Sequence, residues 1–144
     1  MFFWRISNYG DISGAGAAKY PGRWNTKGLE IVYAAETPAL AMLEILVQNS
    51  RATLPDTYKL LKIEAPDQME LPDIEGLKND WQLDEHYTKI VGSRWLTEQT
   101  STLLRVPSVI MPDSFNVLIN PHHSDFNKVR IAGVTLNALD PRLK

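Results

Sequence analysis

One carboxylate interrupts an otherwise apolar stretch of the sequence. Glu44 stands within residues 38–47, whose other nine side chains are apolar. A helix that is apolar on all sides is normally buried, and helical spacing places Glu44 on the face of Leu40, Leu43 and Val47. Burying an unpaired carboxylate costs several kcal/mol, so Glu44 must be paired, protonated or directed into a solvated cleft. We favour a catalytic carboxylate, and the alternative is a structural ion pair with an arginine.

An arginine and two aromatic residues precede this segment. Arg23 and Trp24 lie at the end of a glycine-rich stretch, and Tyr33 follows shortly before Glu44. The planar guanidinium group makes paired, charge-assisted hydrogen bonds that suit a diphosphate. Trp24 or Tyr33 could offer a flat face to a planar ring. An arginine next to a tryptophan is usually surface packing, and the combination with Tyr33 and Glu44 is what favours a binding site.

Hydroxyl and imidazole groups near the C-terminal half offer further candidates. Ser108 follows a rigid Val106-Pro107 turn, and without a histidine at an obvious triad spacing we expect it to contact substrate through hydrogen bonds. His122 and His123 are adjacent, so an extended backbone directs them to opposite faces. With no evident third ligand, the sequence predicts no metal site.

The elements that must position these residues follow from local signals. Thr37 is a good N-cap and Pro38 suits the first helical turn, so a helix is predicted over 37–49. We also predict a helix over 86–96, a long loop over 7–22 and a variable excursion over 66–84. Strands are predicted at 2–6, 29–34, 58–63, 103–106, 109–111, 116–119 and 129–136. Because strands outnumber helices without alternating with them, we expect a mixed α+β fold.

Length and composition limit the class of protein. A chain of 144 residues with 44% hydrophobic residues and no cysteine predicts a single domain over residues 1–144 that needs no disulfide. The absence of an export signal or a long apolar segment predicts a soluble, cytoplasmic protein that does not enter a membrane. A net charge of −2 with scattered basic residues disfavours direct nucleic-acid binding.

Several short motifs, taken in order, closely resemble the RES-domain family over nearly the whole chain. They are Trp4-Arg5-Ile6, Gly22-Arg23-Trp24-Asn25, Gly28, Tyr33-Ala34, Ala41-Met42-Leu43-Glu44, Val106-Pro107-Ser108, Asn116-Val117-Leu118-Ile119-Asn120-Pro121-His122 and Asp140-Pro141-Arg142-Leu143. The arginine, glutamate and serine that name the family match Arg23, Glu44 and Ser108. One departure is His123-Ser124-Asp125-Phe126, where the family usually has proline in the second position.

The resemblance implies a fold similar to bacterial ADP-ribosyltransferase toxins and a function as the toxin of a toxin–antitoxin pair. The implied activity is cleavage of the nicotinamide–ribose bond of NAD⁺ by hydrolysis or phosphorolysis, with inorganic phosphate as a possible co-substrate and no cofactor. The implied partner is an Xre-type helix-turn-helix antitoxin, with a toxin dimer inside the complex.

The resemblance also implies roles for individual residues. Arg23 would bind the dinucleotide phosphates, Tyr33 would pack on nicotinamide or its ribose, and Glu44 would act at the ribose. Ser108 would complete the pocket, and Arg5 would contact a phosphate or ribose. The acceptor stays open between water, phosphate and a protein, so a protein ADP-ribosyltransferase is the nearest alternative. A non-enzymatic interaction module, with Glu44 and Arg23 as an ion pair, is the alternative from another class.

Overall fold

The computed structural model describes residues 1–144 as three α-helices and six strands in one sheet. The strands are β1 (Phe2–Ser7), β2 (Val32–Ala35), β3 (Thr57–Glu64), β4 (Leu103–Pro107), β5 (Phe115–Ile119) and β6 (Arg130–Ala138). The helices are α1 (Ala15–Lys19), α2 (Pro38–Gln48) and α3 (Glu85–Glu98), and single 3₁₀ turns occupy Trp81–Leu83, Phe126–Lys128 and Pro141–Leu143. The predicted mixed α+β class is confirmed.

The sheet contains a local divergence at its centre. Its strand order is β4-β5-β2-β1-β3-β6, and every pairing is antiparallel. β1 pairs with β3 along its whole length, but β1 and β2 share only the pair Trp4 and Ala35. The two strands therefore separate beyond this pair, and backbone groups that would otherwise form a ladder need other partners.

Helix α2 lies across these diverging strands, against β1 and β2. Its start is as predicted: the Thr37 side chain accepts a hydrogen bond from the Leu40 N–H at 3.1 Å, and Pro38 is the first helical residue. The expectation that the whole helix is buried is wrong, because the sheet covers only one of its faces. Leu40 and Ala41 are buried, whereas Val47 is 57% exposed.

Apolar residues pack on both faces of the sheet. Successive residues of β5 point to opposite faces, so Val117 belongs to one cluster with Phe3 and Ile63, while Leu118 belongs to a second with Trp81. The segment 66–84, expected to be a variable excursion, packs against both clusters. Met69 and Leu71 contact the first, and Ile74, Leu77 and Trp81 contact the second.

Three further predictions differ from the structure. Residues 109–111 form a bend and no strand, α1 interrupts the predicted loop 7–22, and β2 begins at residue 32, later than predicted. The helix predicted at 86–96 extends over Glu85–Glu98, capped by the Asp84 side chain, which accepts from the Tyr87 N–H at 3.0 Å. No helix has the length and apolarity that crossing a membrane requires.

Candidate active site

A cleft of about 730 Å³ opens where β1 and β2 diverge. A recess of about 100 Å³ adjoins it, between α2 and the two strands. Arg5, Tyr33, Glu44 and Asn116 line both spaces, and Arg23 lines the larger one. The fold thus gathers most of the predicted site residues around one cavity, which falls in the size range of ligand-binding pockets.

The Glu44 carboxylate is held through one of its two oxygens. The Ser108 hydroxyl donates to Glu44 Oε1 at 3.1 Å, and the side-chain amide of Asn116 donates to the same Oε1 at 2.8 Å. No cation lies within 4.0 Å of Glu44 among the ion pairs of the chain. We call Glu44, Ser108 and Asn116 the acid wall of the cleft.

The Ser108 hydroxyl has no hydrogen-bonding capacity left for a substrate. Its oxygen accepts from the backbone N–H groups of Ile110 at 3.1 Å and Met111 at 3.2 Å, and its proton goes to Glu44. A hydroxyl offers one donor and two acceptor positions, so all are used. Ser108 is only 8% exposed and does not line the cleft. The expectation that Ser108 forms a hydrogen bond to substrate therefore does not fit its position, and its hydroxyl contacts Glu44 instead.

Another part of the cleft lining is formed by the turn that carries Arg23. Arg23 Nη1 donates to the Gln82 carbonyl at 3.1 Å, and Nη2 lies 3.6 Å from the Glu85 carboxylate. The turn itself is bound to α3: the Thr88 hydroxyl donates to the Arg23 carbonyl at 2.8 Å, and the Lys89 ammonium group donates to the Gly22 carbonyl. We call residues 22–25, with the α3 residues that bind them, the arginine wall.

Close packing of glycines allows the arginine wall to form. A Cβ at Gly92 of α3 would lie 1.8 Å from the Trp24 carbonyl oxygen, and a Cβ at Gly22 would lie 2.7 Å from the ring of Tyr33. Real Cβ atoms do not come this close to other atoms, so both positions require glycine for the helix, the turn and the strand to stay in contact.

The hydroxyl of Tyr33 ties the turn to β2. It donates to Asn25 Oδ1 at 2.6 Å and accepts from the Trp24 N–H at 3.0 Å. Burial raises the pKa of the Tyr33 phenol well above its usual value, and the hydrogen bond from Trp24 opposes this rise only in part. Tyr33 therefore stays neutral and uses its hydroxyl structurally, which leaves its ring as the part that lines the cleft.

The Arg5 side chain lies in the space where β1 and β2 separate. Its Nη1 donates to the Tyr33 carbonyl at 2.9 Å, which supplies a partner to a backbone group that β1 no longer reaches. Burial lowers the pKa of Arg5 from its usual value, while the charge of Asp11 opposes the shift. Because Arg5 forms no close ion pair and lines both spaces, it offers positive charge to a ligand.

Trp24 does not provide an open ring face. It is 3% exposed, and its ring packs against Trp81 with the ring centroids 5.7 Å apart. This burial does not fit the suggestion that the Trp24 ring, as the alternative to Tyr33, offers a flat face to a substrate. Trp24 is among the residues that line the cleft, and it contributes to the arginine wall through its backbone N–H. His122 and His123 have separate partners, Glu30 at 3.0 Å and Thr102 at 2.8 Å. No three His, Asp or Glu side chains converge as metal ligands would.

The geometry also excludes the proposed ion pair between Glu44 and Arg23, since each has other partners. Sequence reasoning missed the roles of Asn25, Glu85, Lys89 and Asn116. Asn116 gave one usable signal, because it is a polar residue at the start of an apolar strand. Asn25, with 0% exposure, stands in one of the family motifs, but nothing in the sequence indicated its role, since its partners Gly22, Ala17, Leu29 and Tyr33 surround it only after folding.

This chain is similar to known proteins both in sequence and in structure. The RES domain matches residues 2–140. The chain is 40% identical to Toxin Res of Pseudomonas putida, covering 91% of this chain and 92% of that protein. It is 39% identical to the Prs ADP-ribosylating toxin of a Sphingobium species, covering 98% and 95%. A chain of the M. tuberculosis MbcT–MbcA toxin–antitoxin complex superposes with a TM-score of 0.77 at 20% identity, covering 99% and 85%.

Fold and cleft together define a small, mixed α+β domain in which one glutamate and two arginines line a single cavity. Within that class, the chain belongs to the RES-domain toxin family. The predicted family is confirmed.

Proposed function

We propose that this toxin depletes NAD⁺ by breaking the bond between nicotinamide and ribose. The observation that carries the proposal is the cleft itself, where Glu44 presents a carboxylate with one oxygen free of protein partners. Two arginines, Arg5 and Arg23, line the same cavity. One fixed anion for a developing cation and two cations for a diphosphate match the charges along an NAD⁺ molecule.

The chemistry requires little acid catalysis. Nicotinamide is a cationic leaving group, so the bond electrons pass to its ring nitrogen as the C1′–N bond breaks and a neutral molecule departs. The ribose becomes oxocarbenium-like, and the nearby Glu44 carboxylate stabilises its positive charge. The acceptor oxygen then bonds to C1′. A water oxygen releases its proton to solvent in this step, whereas an anionic phosphate oxygen has no proton to lose. Glu44 supplies charge in this scheme and forms no covalent bond.

The arginine wall, together with Arg5 and Tyr33, positions the substrate for this step. Arg23 binds the diphosphate through paired, charge-assisted hydrogen bonds, and Arg5 provides a second phosphate or ribose contact. The ring of Tyr33 packs against nicotinamide or its ribose. Binding energy gained at the phosphates is thereby used to orient the reacting carbon against Glu44. NAD⁺ is the substrate in this account, and no other cofactor takes part.

The proposal includes an antitoxin partner. The structural neighbour is a chain of a toxin–antitoxin complex, and we propose a cognate antitoxin of the Xre helix-turn-helix type for this chain. Co-expression with a helix-turn-helix protein of the Xre type encoded next to this gene tests this. A complex that co-purifies and restores growth supports the proposal. Growth arrest that persists, or the lack of any such adjacent gene, contradicts it.

Product analysis tests the reaction. Purified protein is mixed with NAD⁺ in buffer with and without inorganic phosphate, and the products are separated by chromatography. We expect free nicotinamide in molar excess over protein, with ADP-ribose as the second product if water attacks and ADP-ribose 1-phosphate if phosphate attacks. Intact NAD⁺ in both buffers would contradict the proposal.

The name of the Sphingobium relative favours a second candidate, transfer of ADP-ribose to a protein. The same mixture distinguishes it when a lysate is added with NAD⁺ labelled in the adenosine part. Label on one discrete protein, with nicotinamide release only when the lysate is present, supports transfer. Nicotinamide release without lysate and no labelled protein supports depletion.

A further inference from the structure

Two donors converge on Glu44 Oε1, and they differ in how they are held. Ser108 is fixed by backbone N–H groups of its own turn, as described above. Asn116 is the second residue of β5, where its backbone pairs with Ala35 on one side and Val106 on the other. Its side-chain amide makes one hydrogen bond in the structure, the 2.8 Å bond to Glu44.

The position of Asn116 is unusual for a strand. Asparagine is a poor strand former, and the next three residues, Val117, Leu118 and Ile119, are all completely buried and apolar. No contact with the fold other than Glu44 uses the amide, so packing or turn geometry does not explain the residue. Because Asn116 lines both the cleft and the recess, its contact with the carboxylate is part of the cavity surface.

We propose that Asn116 is a positioning residue that holds Glu44 Oε1 and thereby directs Oε2 alone toward the ribose. The proposal rests on the proposed function for the identity of the reacting group. An oxygen that accepts two hydrogen bonds is ordered and turned away from substrate, which leaves Oε2 as the acceptor for the developing charge. An amide is required because the group must donate, and a carboxylate of the same shape would repel Glu44.

Other charged and titratable groups face this pair from each neighbouring element. They line the same cleft and are Arg5 on β1, Tyr20 directly after α1, Arg23 in the turn before β2, Tyr33 on β2 and Glu85 on α3. None of these groups changes in the variants below, so a changed pH profile reports on the Glu44–Asn116 contact.

The first test uses Asn116→Ala and Asn116→Asp, with Asn137→Asp on the exposed strand β6 as the matched control. We expect Asn116→Ala to lower kcat for NAD⁺ cleavage by about 10- to 100-fold, the cost of a misplaced reacting group, with KM little changed. Asn116→Asp places two carboxylates in contact, which can share one proton at low pH. Its activity relative to wild type therefore rises toward acidic pH, whereas Asn137→Asp follows the wild-type profile.

Equal losses in both Asn116 variants at every pH, or a change confined to KM, would overturn the proposal. Circular dichroism and thermal melting check that each variant is folded. A further experiment adds Asn116→Ala to the Glu44→Gln variant. Since Asn116 acts through Glu44, we expect no additional loss of kcat in the double variant. If the two residues acted independently, the fold-losses of the two single variants would multiply.

A nuclear magnetic resonance measurement separates this proposal from the proposed function. The side-chain amide resonances of Asn116 are assigned in the protein without substrate. Glu44→Gln shifts them if the contact exists in solution, and the Asn137 amide resonances stay in place. If wild-type protein does not consume NAD⁺ but the Asn116 resonances shift, the proposed function fails and the contact stands. Unshifted Asn116 resonances would refute the contact whatever the activity.

Discussion

The two walls of the cleft are held in place by different kinds of contact. On the acid wall, side-chain groups of Ser108 and Asn116 converge on one carboxylate oxygen. On the arginine wall, Gly22 and Arg23 are fixed mainly through their backbone carbonyls, by Lys89 and Thr88 of α3. The first arrangement orients a single charged atom, whereas the second fixes a turn as a rigid body. Under the proposed function, the first wall would carry the chemistry and the second would bind the substrate.

The largest loss of stability is expected from breaking the support of the arginine wall. Gly92→Ala would bring a Cβ to within 1.8 Å of the Trp24 carbonyl oxygen, and backbone cannot yield cheaply. We expect the free energy of unfolding to fall by about 3 kcal/mol, measured by denaturant titration. Gly133→Ala on β6 is the control, since nothing lies within 4 Å of a Cβ there. Equal stability of the two variants would show that α3 does not pack on the turn as described.

Removal of the Arg23 guanidinium group tests whether the arginine wall serves substrate binding, seen in KM, or the chemical step, seen in kcat. For Arg23→Ala we expect kcat/KM for NAD⁺ to fall by about 10- to 100-fold, the usual contribution of a charged hydrogen bond, with most of the change in KM. Steady-state kinetics measure the split, and Arg51→Ala at an exposed turn is the control. A loss confined to kcat would instead place Arg23 with the acid wall.

Tyr33→Phe tests the hydrogen bonds that connect the arginine wall to β2. The variant keeps the ring and loses the hydroxyl, so the Trp24 N–H and Asn25 Oδ1 each lose a partner. We expect the free energy of unfolding to fall by about 1–2 kcal/mol, whereas Tyr9→Phe at a 70% exposed position changes it little. Denaturant titration of both variants makes the comparison.

The same residue gives the protein a pH dependence at the alkaline end. Burial raises the pKa of Tyr33 in the folded state, so the unfolded chain releases this proton first. The resulting stabilisation is complete below pH about 10, the ordinary tyrosine value, and is lost as pH rises above it by up to about 1.4 kcal/mol per pH unit. Tyr33→Phe should flatten this slope relative to wild type. Identical slopes would mean that the phenol is not buried.

The smallest effect is expected at Glu85. Its carboxylate lies 3.6 Å from Arg23, and its side chain is 63% exposed, so solvent screens the interaction strongly. Glu85→Gln removes a negative charge that competes with the diphosphate, and we expect KM for NAD⁺ to fall by about 2- to 3-fold at low salt. Glu98→Gln at the far end of α3 is the control. A rise in KM would show that Glu85 aids binding by orienting Arg23.

Local signals predicted the elements well where the sequence alone determines them. Thr37 and Pro38 marked the start of α2 because capping depends on adjacent residues. The strand predicted at 109–111 is absent for a similarly local reason. The Ser108 hydroxyl oxygen accepts hydrogen bonds from the backbone N–H groups of Ile110 and Met111, so these groups cannot pair with another strand. Helix α1 escaped prediction because glycine has low helix propensity and the contact of Ala17 with the core stabilises it only in the folded chain.

The site was predictable by residue type and less so by geometry. An isolated carboxylate among apolar residues marked Glu44, but which donors reach it depends on β5 lying beside β2. Trp24 beside Arg23 looked like a ring for stacking, and only the position of Trp81 shows that it is core. Contacts over sequence distances such as the 72 residues between Glu44 and Asn116 follow from topology, which short motifs do not encode.

Release of nicotinamide by wild-type protein and by Glu44→Gln, with NAD⁺ as the only ligand, tests the central claim most directly. Glutamine keeps an oxygen that can accept from Ser108 and Asn116 but removes the charge. We expect many turnovers for wild type and a loss of about 10³-fold for the variant, with both proteins melting at similar temperatures. Equal release by the two proteins would contradict the assignment of Glu44 as the group that stabilises the ribose cation.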